Sequence, residues 1–154
     1  MSVAVLEKDI MIGLAEKAVK SALQKGASEA EGYVYEGQST NIGIDLGQIN
    51  KTNRIIDRGV GVRVIANKAV GFAYTNIIGD PVALEKAVTG ALSAARASKP
   101  DLDWKGLPEK KTYPKTENTF DDDIVNLSSE DLVKIASVML DSAAAVDKRV
   151  MPIE

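Results

Sequence analysis

The sequence of 154 residues contains no cysteine and no histidine. The absence of cysteine excludes disulfide bonds, thiolate zinc sites and cysteine nucleophiles. The absence of histidine excludes a Ser-His-Asp triad, a helical HExxH zinc site and an iron site of two histidines and a carboxylate. The chemistry that remains open to these residues uses carboxylates with magnesium, lysine or tyrosine, unless the chain has no chemistry of its own.

Long apolar runs are also missing. No window approaches the roughly 18 uninterrupted apolar residues that a transmembrane helix needs, and residues 1–6 lack the basic and apolar regions of a secretory signal. Lysine and arginine number 19 against 22 aspartate and glutamate residues, which gives a formal charge of −3. The two signs are interspersed, whereas a sequence-independent nucleic-acid binder needs a concentrated positive field. We therefore expect a cytoplasmic protein that contacts neither a membrane nor nucleic acid.

Three segments repeat apolar residues at helical spacing. The first begins near Leu6 and ends at Gly26, which can adopt the left-handed conformation of a helix stop. The second begins at Asp80-Pro81, a capping residue followed by proline at the first helical position. The third begins at Ser128, which has an acidic residue three positions later, as in a capping box. The predicted buried stripes are Leu6, Ile10, Leu14, Ala18 and Ala22; Leu84, Val88, Ala91, Leu92 and Ala95; and Leu132, Ile135, Ala136, Met139, Leu140 and Ala143.

Between the first two helices the apolar period changes to two residues, which is typical of half-buried strands. Turn-forming residues separate these strands and no helix intervenes, so an antiparallel meander is expected. The predicted turns are Glu36–Ser39, Gly47-Gln48, Asp57–Gly59 and Ala66–Lys68. The sequence therefore predicts an α+β fold, with an N-terminal helix, an antiparallel β-meander of about five strands, and then two helices separated by a long proline-containing loop.

We expect residues 1–154 to form a single α+β domain whose core spans about 5–98. Residues 99–127 are predicted to be a surface connection, and residues 128–147 the last helix. Residues 148–154 resemble the start of an extended segment, which we expect to continue into a C-terminal domain that this sequence lacks; a frayed terminus is the alternative. The predicted anchors of the connection are Trp104, Leu107, Tyr113 and Phe120.

Two motifs could bind an ion, and both have a simpler interpretation. Gly59 and Gly61 resemble a phosphate-binding loop, but a helix follows such a loop, whereas alternating valines continue a strand here. We interpret the two glycines as a turn and a point of close packing. Asp121–Asp123 could bind a hard cation, but calcium loops space their carboxylates at alternate positions. A solvated run that favours the dipole of the following helix is the simpler interpretation.

Single residues carry weaker signals. Arg63 stands among apolar strand residues, so it could bind a carboxylate bidentately, extend to the sheet margin, or pair with an internal acid. Tyrosines interpreted as packing residues with hydrated hydroxyl groups are Tyr33, Tyr35 and Tyr74. Serines that lack a base, and hence activation as nucleophiles, are Ser98, Ser128 and Ser129.

Several runs of residues together resemble the N-terminal domain of the TldD/PmbA family, historically named modulators of DNA gyrase. The set combines a glycine-rich strand that contains an arginine, a strand that ends in an aromatic residue and an asparagine, and a following helix. The resemblance covers about residues 8–98. Its motifs are Ala30-Glu31-Gly32-Tyr33-Val34-Tyr35, Gly59-Val60-Gly61-Val62-Arg63-Val64-Ile65, Gly71-Phe72-Ala73-Tyr74-Thr75-Asn76, and Leu84-Glu85-Lys86-Ala87-Val88 through Ala91 to Ala95-Arg96.

The resemblance implies a zinc-dependent peptidase system in which a TldD-type subunit pairs with a TldE/PmbA-type subunit. The metal motif of the family, a helical HExxxH with a further ligand, lies far downstream of this region. The resemblance therefore assigns no catalytic residue, metal ligand or cofactor to this chain, and zinc is implied only for the C-terminal domain of the parent protein. The expected partners are a TldD/PmbA-type subunit, in a homo- or hetero-oligomer, and an unfolded peptide substrate.

The resemblance also implies that the N-terminal domains help to enclose a chamber in which an unfolded peptide is held in extended form. An antiparallel sheet with a free edge can accept such a peptide as an additional strand. The candidate peptide-contact or interface residues are Arg63, Tyr74 and Asn76. We thus expect an inactive N-terminal domain that contributes to subunit assembly and to access or binding of an extended peptide. The alternative is a free-standing protein-interaction module with no connection to a protease.

Overall fold

A computed structural model describes residues 7–109, 111–147, 149–150 and 152. The chain divides into two compact units, which are described separately below. Unit 1 comprises the residues up to 37 together with 56–110, and unit 2 comprises 38–55 together with the residues from 111 onward. The elements in chain order are α1 (Lys8–Gln24), β1 (Glu29–Asp45), β2 (Gln48–Ala66), β3 (Ala69–Thr75), α2 (Pro81–Ala97), α3 (Asp122–Val125) and α4 (Ser129–Val146).

The main class of the fold is α+β, as predicted, but the sheet has three strands in the order β1-β2-β3, and the prediction of about five strands was wrong. The predicted turns at Glu36–Ser39 and Asp57–Gly59 lie inside β1 and β2. Neither Gly37 nor Gly59 has a positive φ, so the backbone stays extended at both glycines. Glycine is permissive rather than obligatory in turns, and here it lies within long strands. The boundary between the two units falls beside both segments.

Two tight turns join the three strands. The β1–β2 turn consists of Leu46 (φ 48°) and Gly47 (φ 74°), one residue earlier than predicted. The β2–β3 turn consists of Asn67 (φ 51°) and Lys68 (φ 62°), within the segment predicted for it. Two successive residues with positive φ match the right-handed twist of the flanking strands. β2 then pairs antiparallel with β3, from Val60 opposite Thr75 to Ala66 opposite Ala69.

The core of unit 1 lies between one face of the sheet and helices α1 and α2. Two glycines allow this close packing. A Cβ atom on Gly32 would lie 2.6 Å from the carbonyl oxygen of Ala15 in α1, and one on Gly71 would overlap the backbone of Ala91 and Ala95 in α2. The buried residues of this core are Ala18, Ala22, Ala27, Val60, Val62, Val64, Ala66, Leu84, Ala87, Val88, Ala91, Leu92 and Ala95.

Polar groups fix the ends of the two helices of unit 1. α1 ends at Gly26 (φ 96°), where the amides of Gly26 and Ala27 bond back to the last turn, as in a Schellman motif. Asp80 caps α2 by accepting from the amide of Val82 at 2.8 Å. Both helix signals predicted from the sequence are thereby confirmed. Between the helices, Glu85 accepts from the Ser21 hydroxyl at 2.7 Å and pairs with Lys25 at 2.8 Å.

In unit 2 the last helix begins as predicted. Ser128 accepts from the amide of Asp131 at 3.1 Å, and the Asp131 carboxylate accepts from the amide of Ser128, which completes a capping box. The predicted buried stripe is only partly buried, because Ile135 and Met139 are exposed. In the segment predicted to be a connection, Asp121 caps the short helix α3, accepting from the amides of Asp123 and Ile124. The predicted anchors Tyr113 and Phe120 are exposed, so they hold nothing in place.

The predictions for the ends of the chain are tested only in part. Residues 5–6 of the predicted core and residues 148, 151, 153 and 154 of the predicted extended segment lie outside the described residues. Within that segment, the amide of Val150 donates to the carbonyl of Asp147 at 2.9 Å, and Arg149 pairs with Asp147 at 2.6 Å. That residues 148–154 begin an extended segment stays a prediction.

Candidate functional site

Among the described residues of unit 1, no helix packs against one face of the sheet. Side chains alternate between the faces of a strand, so the helix-facing residues Val62 and Val64 of β2 are separated by Arg63, which faces the other way. The register places Phe72 opposite Arg63 and Tyr74 opposite Gly61. We call this surface the outer face, and it consists of Glu31, Tyr33, Tyr35, Gly59, Gly61, Arg63, Phe72, Tyr74 and Asn76.

Four of the seven aromatic residues of the chain lie on the outer face. The exposed fractions are 64 % for Tyr33, 46 % for Tyr35, 58 % for Phe72 and 73 % for Tyr74. The rings of Phe72 and Tyr74 stack with their centroids 6.4 Å apart. The three tyrosines were interpreted as packing residues, but their rings are substantially exposed. Exposed apolar surface of this kind is typical of a binding site.

A glycine allows the aromatic rings to lie flat on the sheet. A Cβ atom on Gly61 would lie 3.1 Å from the ring of Phe72, which is tighter than an ordinary contact, so the ring occupies the space that a side chain would fill. A Cβ atom on Gly59 would likewise lie 3.0 Å from the carbonyl oxygen of Thr75. The interpretation of Gly61 as a point of close packing is confirmed. Gly59 was interpreted as a turn, but it is a strand residue.

Arg63 forms an ion pair with Glu31 on the neighbouring strand. Its Nη2 atom lies 2.6 Å from Oε2 of Glu31, and both side chains are a little over 40 % exposed. Of the three roles considered for Arg63, pairing with an acid of the protein is the one found, with a single contact to the carboxylate. An exposed pair of this kind contributes little to stability, so both groups stay available to a ligand.

A shallow groove of about 430 Å³ runs between the strands at one end of the outer face. Its lining residues are Tyr33, Tyr35, Asp57, Arg58, Gly59, Val60, Gly61, Phe72, Tyr74 and Asn76. An adjoining hollow of about 210 Å³ is lined by Glu31, Tyr33, Gly61, Arg63 and Phe72. The structure thus brings the predicted residues Arg63, Tyr74 and Asn76 to one continuous surface.

The charges on this surface balance. Glu31 and Asp57 carry one sign, and Arg63 and Arg58 carry the other. A phosphate backbone is attracted by an uncompensated positive field, which these four side chains do not provide. Shape, aromatic contact and main-chain hydrogen bonding are therefore the means by which the outer face can bind a ligand.

The opposite end of the outer face is covered by the segment that follows α2. Trp104 donates its indole N–H to Oε1 of Glu29 at 2.8 Å, and the amide of Leu107 donates to Oε2 at 2.6 Å. These bonds hold the pKa of Glu29 below its ordinary value, the Leu107 bond having the larger effect. Ile65 lies on the same face and is only 1 % exposed. The cover at this end is therefore partial, because Val70, which lies opposite Ile65 on the same face, is 37 % exposed.

The aromatic end adjoins an edge of the sheet. In the described part of the chain β3 pairs with β2 alone, so its other side is an edge. A second groove, of about 310 Å³, lies beside this edge and is lined by residues of β3, the following loop and the start of α2. These residues are Ala73, Tyr74, Thr75, Ile77, Asp80, Ala83, Lys86 and Ala87. Tyr74 belongs to both grooves, so it joins the edge to the outer face.

Sequence reasoning missed several functional candidates on this surface. Phe72 was named only as part of a strand and of a family motif, because an aromatic residue in a strand usually packs in a core. The exposure of Tyr33 and Tyr35 depends on which face the helices cover, and an alternating pattern with apolar residues on both faces does not show this. Glu29 was missed because its partners lie more than 70 residues away, where no local pattern links them.

No alternative metal site arises from the described residues. Among them, no group of three or more acidic side chains is arranged to hold a metal ion. Asp121 uses its carboxylate to cap α3, which agrees with the simpler interpretation of the aspartate run. Searched over the same residues, no helix is both long enough and apolar enough to cross a membrane.

Taken together, the fold and the outer face define a helix-backed antiparallel sheet domain with an exposed aromatic surface. Residues 30–95 match the family model described as PmbA/TldA metallopeptidase domain 1. This segment of the chain therefore matches the first domain of the TldD/PmbA family. No curated protein sequence matches it.

Solved structures share the fold at low sequence identity. TldE from Thermococcus kodakarensis is 21 % identical with a TM-score of 0.76, over 88 % of this chain and 30 % of that one. A candidate modulator of DNA gyrase from Bacteroides thetaiotaomicron VPI-5482 is 19 % identical with a TM-score of 0.76, over 91 % and 32 %. Another from Thermotoga maritima MSB8 is 20 % identical with a TM-score of 0.67, over 91 % and 31 %. The chain thus spans about a third of the length of these relatives.

Proposed function

We propose that this chain is the non-catalytic first domain of a TldD/PmbA-type metallopeptidase, and that it contributes to subunit assembly and to the binding of an extended peptide. The family match at residues 30–95 supports the parent class. The absence of histidine and cysteine supports a non-catalytic role, because the chain has neither of the side chains that usually bind zinc together with carboxylates. The catalytic zinc belongs to another part of the parent protein.

The observation that carries the peptide-binding proposal is the edge of β3. Natural proteins block exposed edges with charged residues, proline or a bulge, but the sequence Ala69–Thr75 contains no charged residue and no proline. An edge of this kind can donate and accept main-chain hydrogen bonds to an additional strand. The ligand of such an edge is a polypeptide in extended form.

The outer face supplies the side-chain contacts for that strand. A peptide aligned with β3 would place alternate side chains beside Phe72 and Tyr74, whose rings are already exposed and stacked. Aromatic rings offer large contact area to many apolar side chains. Because the main chain provides most of the recognition and the charges of the face balance, the selectivity for peptide sequence should be low.

The test is binding of a labelled unfolded polypeptide to the domain. The probe is fluorescein-labelled α-lactalbumin, reduced and carboxymethylated so that it stays unfolded, and binding is followed by fluorescence anisotropy. Replacing Tyr74 with alanine should weaken binding by about five-fold or more, as for an aromatic anchor in an interface. Tyr113→Ala is the matched control, because Tyr113 is 84 % exposed in unit 2 and should not alter the affinity.

Nuclear magnetic resonance of the same complex locates the ligand. The amide signals of β3 should shift and gain protection on addition of the probe, whereas those of α1 should not. Absence of binding, or equal loss of affinity in the Tyr74 and Tyr113 variants, would contradict the peptide-binding role. The non-catalytic role fails if the purified domain holds stoichiometric zinc or hydrolyses the probe.

Subunit assembly is tested separately by co-purification. A TldD/PmbA-type protein from the source cell should be recovered with the tagged domain. Recovery only of a partner without a TldD/PmbA domain would favour a free-standing interaction module.

A further inference from the structure

Helix α4 has an apolar surface that the described residues of unit 2 leave exposed. Four of its large apolar side chains are exposed, by 49 % for Ile135, 64 % for Val138, 61 % for Met139 and 83 % for Val146. Successive helical residues are about 100° apart, so these four lie within an arc of about 100° on the helix. We call this surface the α4 stripe.

The α4 stripe is distinct from the buried side of the helix. That side is centred on Ala136, which is 6 % exposed, and the half-buried Leu132 and Leu140 flank it. A third side carries the charged residues Glu130, Lys134 and Asp141. A helix with a second apolar stripe beside its buried one is expected to bury both stripes in the complete molecule.

Unit 2 has little core of its own to compensate for this exposure. Among its described residues Ala136 is the only buried one. The short helix α3 likewise exposes Ile124 by 67 % and Val125 by 56 %. Exposed apolar side chains that cluster on one side of a helix mark a site of interaction.

The relatives indicate what covers the stripe. Each solved structure matches about nine-tenths of this chain, but the match covers only about a third of the length of that structure. The matching family model is the first domain of its family, so the additional polypeptide of such proteins follows this domain. A covalently continuous segment pays no cost of bimolecular association, which favours it over a separate partner.

We propose that the α4 stripe is the docking surface for residues that follow position 154 in a longer polypeptide of the TldD/PmbA type. This proposal rests on the part of the proposed function that makes the chain a first domain, and it is independent of peptide binding. The occupant is an apolar segment of that same polypeptide, complementary to Ile135, Val138, Met139 and Val146.

The test compares hydrogen exchange in the 154-residue chain with that in the polypeptide continued along its reading frame to the natural stop codon. The amides of α4 should exchange at least about ten-fold more slowly in the longer chain, because local opening must then break the new contact. Met139→Lys should abolish that gain in the longer chain and leave the short chain unchanged. Ala144→Lys is the matched control, since Ala144 is exposed on the opposite side of α4 and should preserve the gain.

Three outcomes would overturn the docking proposal. A stop codon directly after Glu154 leaves no such segment, and equal exchange in the two chains means that no segment docks. A dimer of the short chain that Met139→Lys dissociates identifies a second copy as the occupant. Met139→Lys should not alter the affinity for unfolded α-lactalbumin. If the longer chain shows slow exchange in α4 but does not bind unfolded α-lactalbumin, the peptide-binding role fails and the docking proposal stands.

Discussion

Trp104 and Glu29 are 75 residues apart in sequence and are joined by a hydrogen bond of 2.8 Å from the indole to the carboxylate. The second oxygen of the same carboxylate accepts from the amide of Leu107. One side chain at the start of β1 therefore fixes the path of the segment after α2. Because Trp104 is the only tryptophan in the chain, its fluorescence reports directly on this contact.

We expect the contact to weaken in acid. The pKa of Glu29 is lowered by the bonds from Leu107 and Trp104, so the folded state binds fewer protons than the unfolded state near the ordinary pKa of 4.5. The stabilisation is complete above that pH and is lost as the pH falls through the lowered pKa. The emission of Trp104 should shift to longer wavelength and its quenching by acrylamide should increase in the same range.

The variant Glu29→Gln separates this carboxylate from the other acids. The glutamine side chain retains one acceptor oxygen but places its amide N–H2 group opposite one of the two donors, Trp104 or Leu107. The melting temperature at neutral pH should therefore fall. The acid-induced change in Trp104 emission should become smaller, because the titrating group is gone. Glu109→Gln is the control in the same segment and should behave like the parent chain. A pH response of equal size in both variants would assign the effect to another group.

The packing of α2 on the sheet depends on the missing side chain at Gly71. A Cβ atom there would overlap the backbone of Ala91 and Ala95, and backbone cannot rotate away as a flexible side chain can. Gly71→Ala should therefore reduce the free energy of unfolding by about 1 to 3 kcal/mol, the usual range for overpacking. Urea denaturation followed by circular dichroism measures the change.

Gly13 provides the opposite case within the same unit. It lies in the middle of α1, and an added Cβ would meet nothing within 4 Å. Gly13→Ala should stabilise the protein by about 0.5 to 1 kcal/mol, because alanine loses less backbone entropy in a helix. If Gly71→Ala and Gly13→Ala changed the free energy of unfolding by similar amounts, the close approach of α2 would not be the reason that position 71 requires glycine.

These glycines show how much of the fold the sequence could predict. The helices were predictable because caps and periodicity are local, as at Asp80 and Ser128. The number of strands was not, because glycine is found both in turns and inside strands. Gly59 lies within β2, where a Cβ atom would be 3.0 Å from the carbonyl oxygen of Thr75, and only the register between β2 and β3 shows this.

The candidate site was predictable only in part for the same reason. Arg63 and Tyr74 were singled out from the sequence, and the structure places both on the outer face. Tyr33 and Phe72 are exposed beside them because the described helices of unit 1 pack on the other face. Alternation assigns residues to two groups, but it does not tell which group solvent reaches when both contain apolar side chains.

The capping box of α4 allows a test of local stability in unit 2. Ser128 accepts from the amide of Asp131 at 3.1 Å, and this bond satisfies a backbone donor that the helix leaves free. Ser128→Ala should destabilise the helix by about 1 kcal/mol, as for other N-cap serines. The loss should be visible as reduced helical circular dichroism and a lower urea midpoint.

The neighbouring serine is the matched control for this prediction. Ser129 is the first helical residue, and its hydroxyl does not cap the helix, so Ser129→Ala should change the stability by no more than about 0.5 kcal/mol. The Ser128 hydroxyl also has the largest effect in lowering the pKa of Asp131. The Ser128 hydroxyl donates to the Asp131 carboxylate at 2.6 Å, and only the Ser129 variant keeps this bond. The difference in stability between the two variants should therefore be fully present at neutral pH and shrink as the pH falls through that lowered pKa. A difference that stays constant down to acid pH would mean that the bond between the Ser128 hydroxyl and the Asp131 carboxylate contributes nothing.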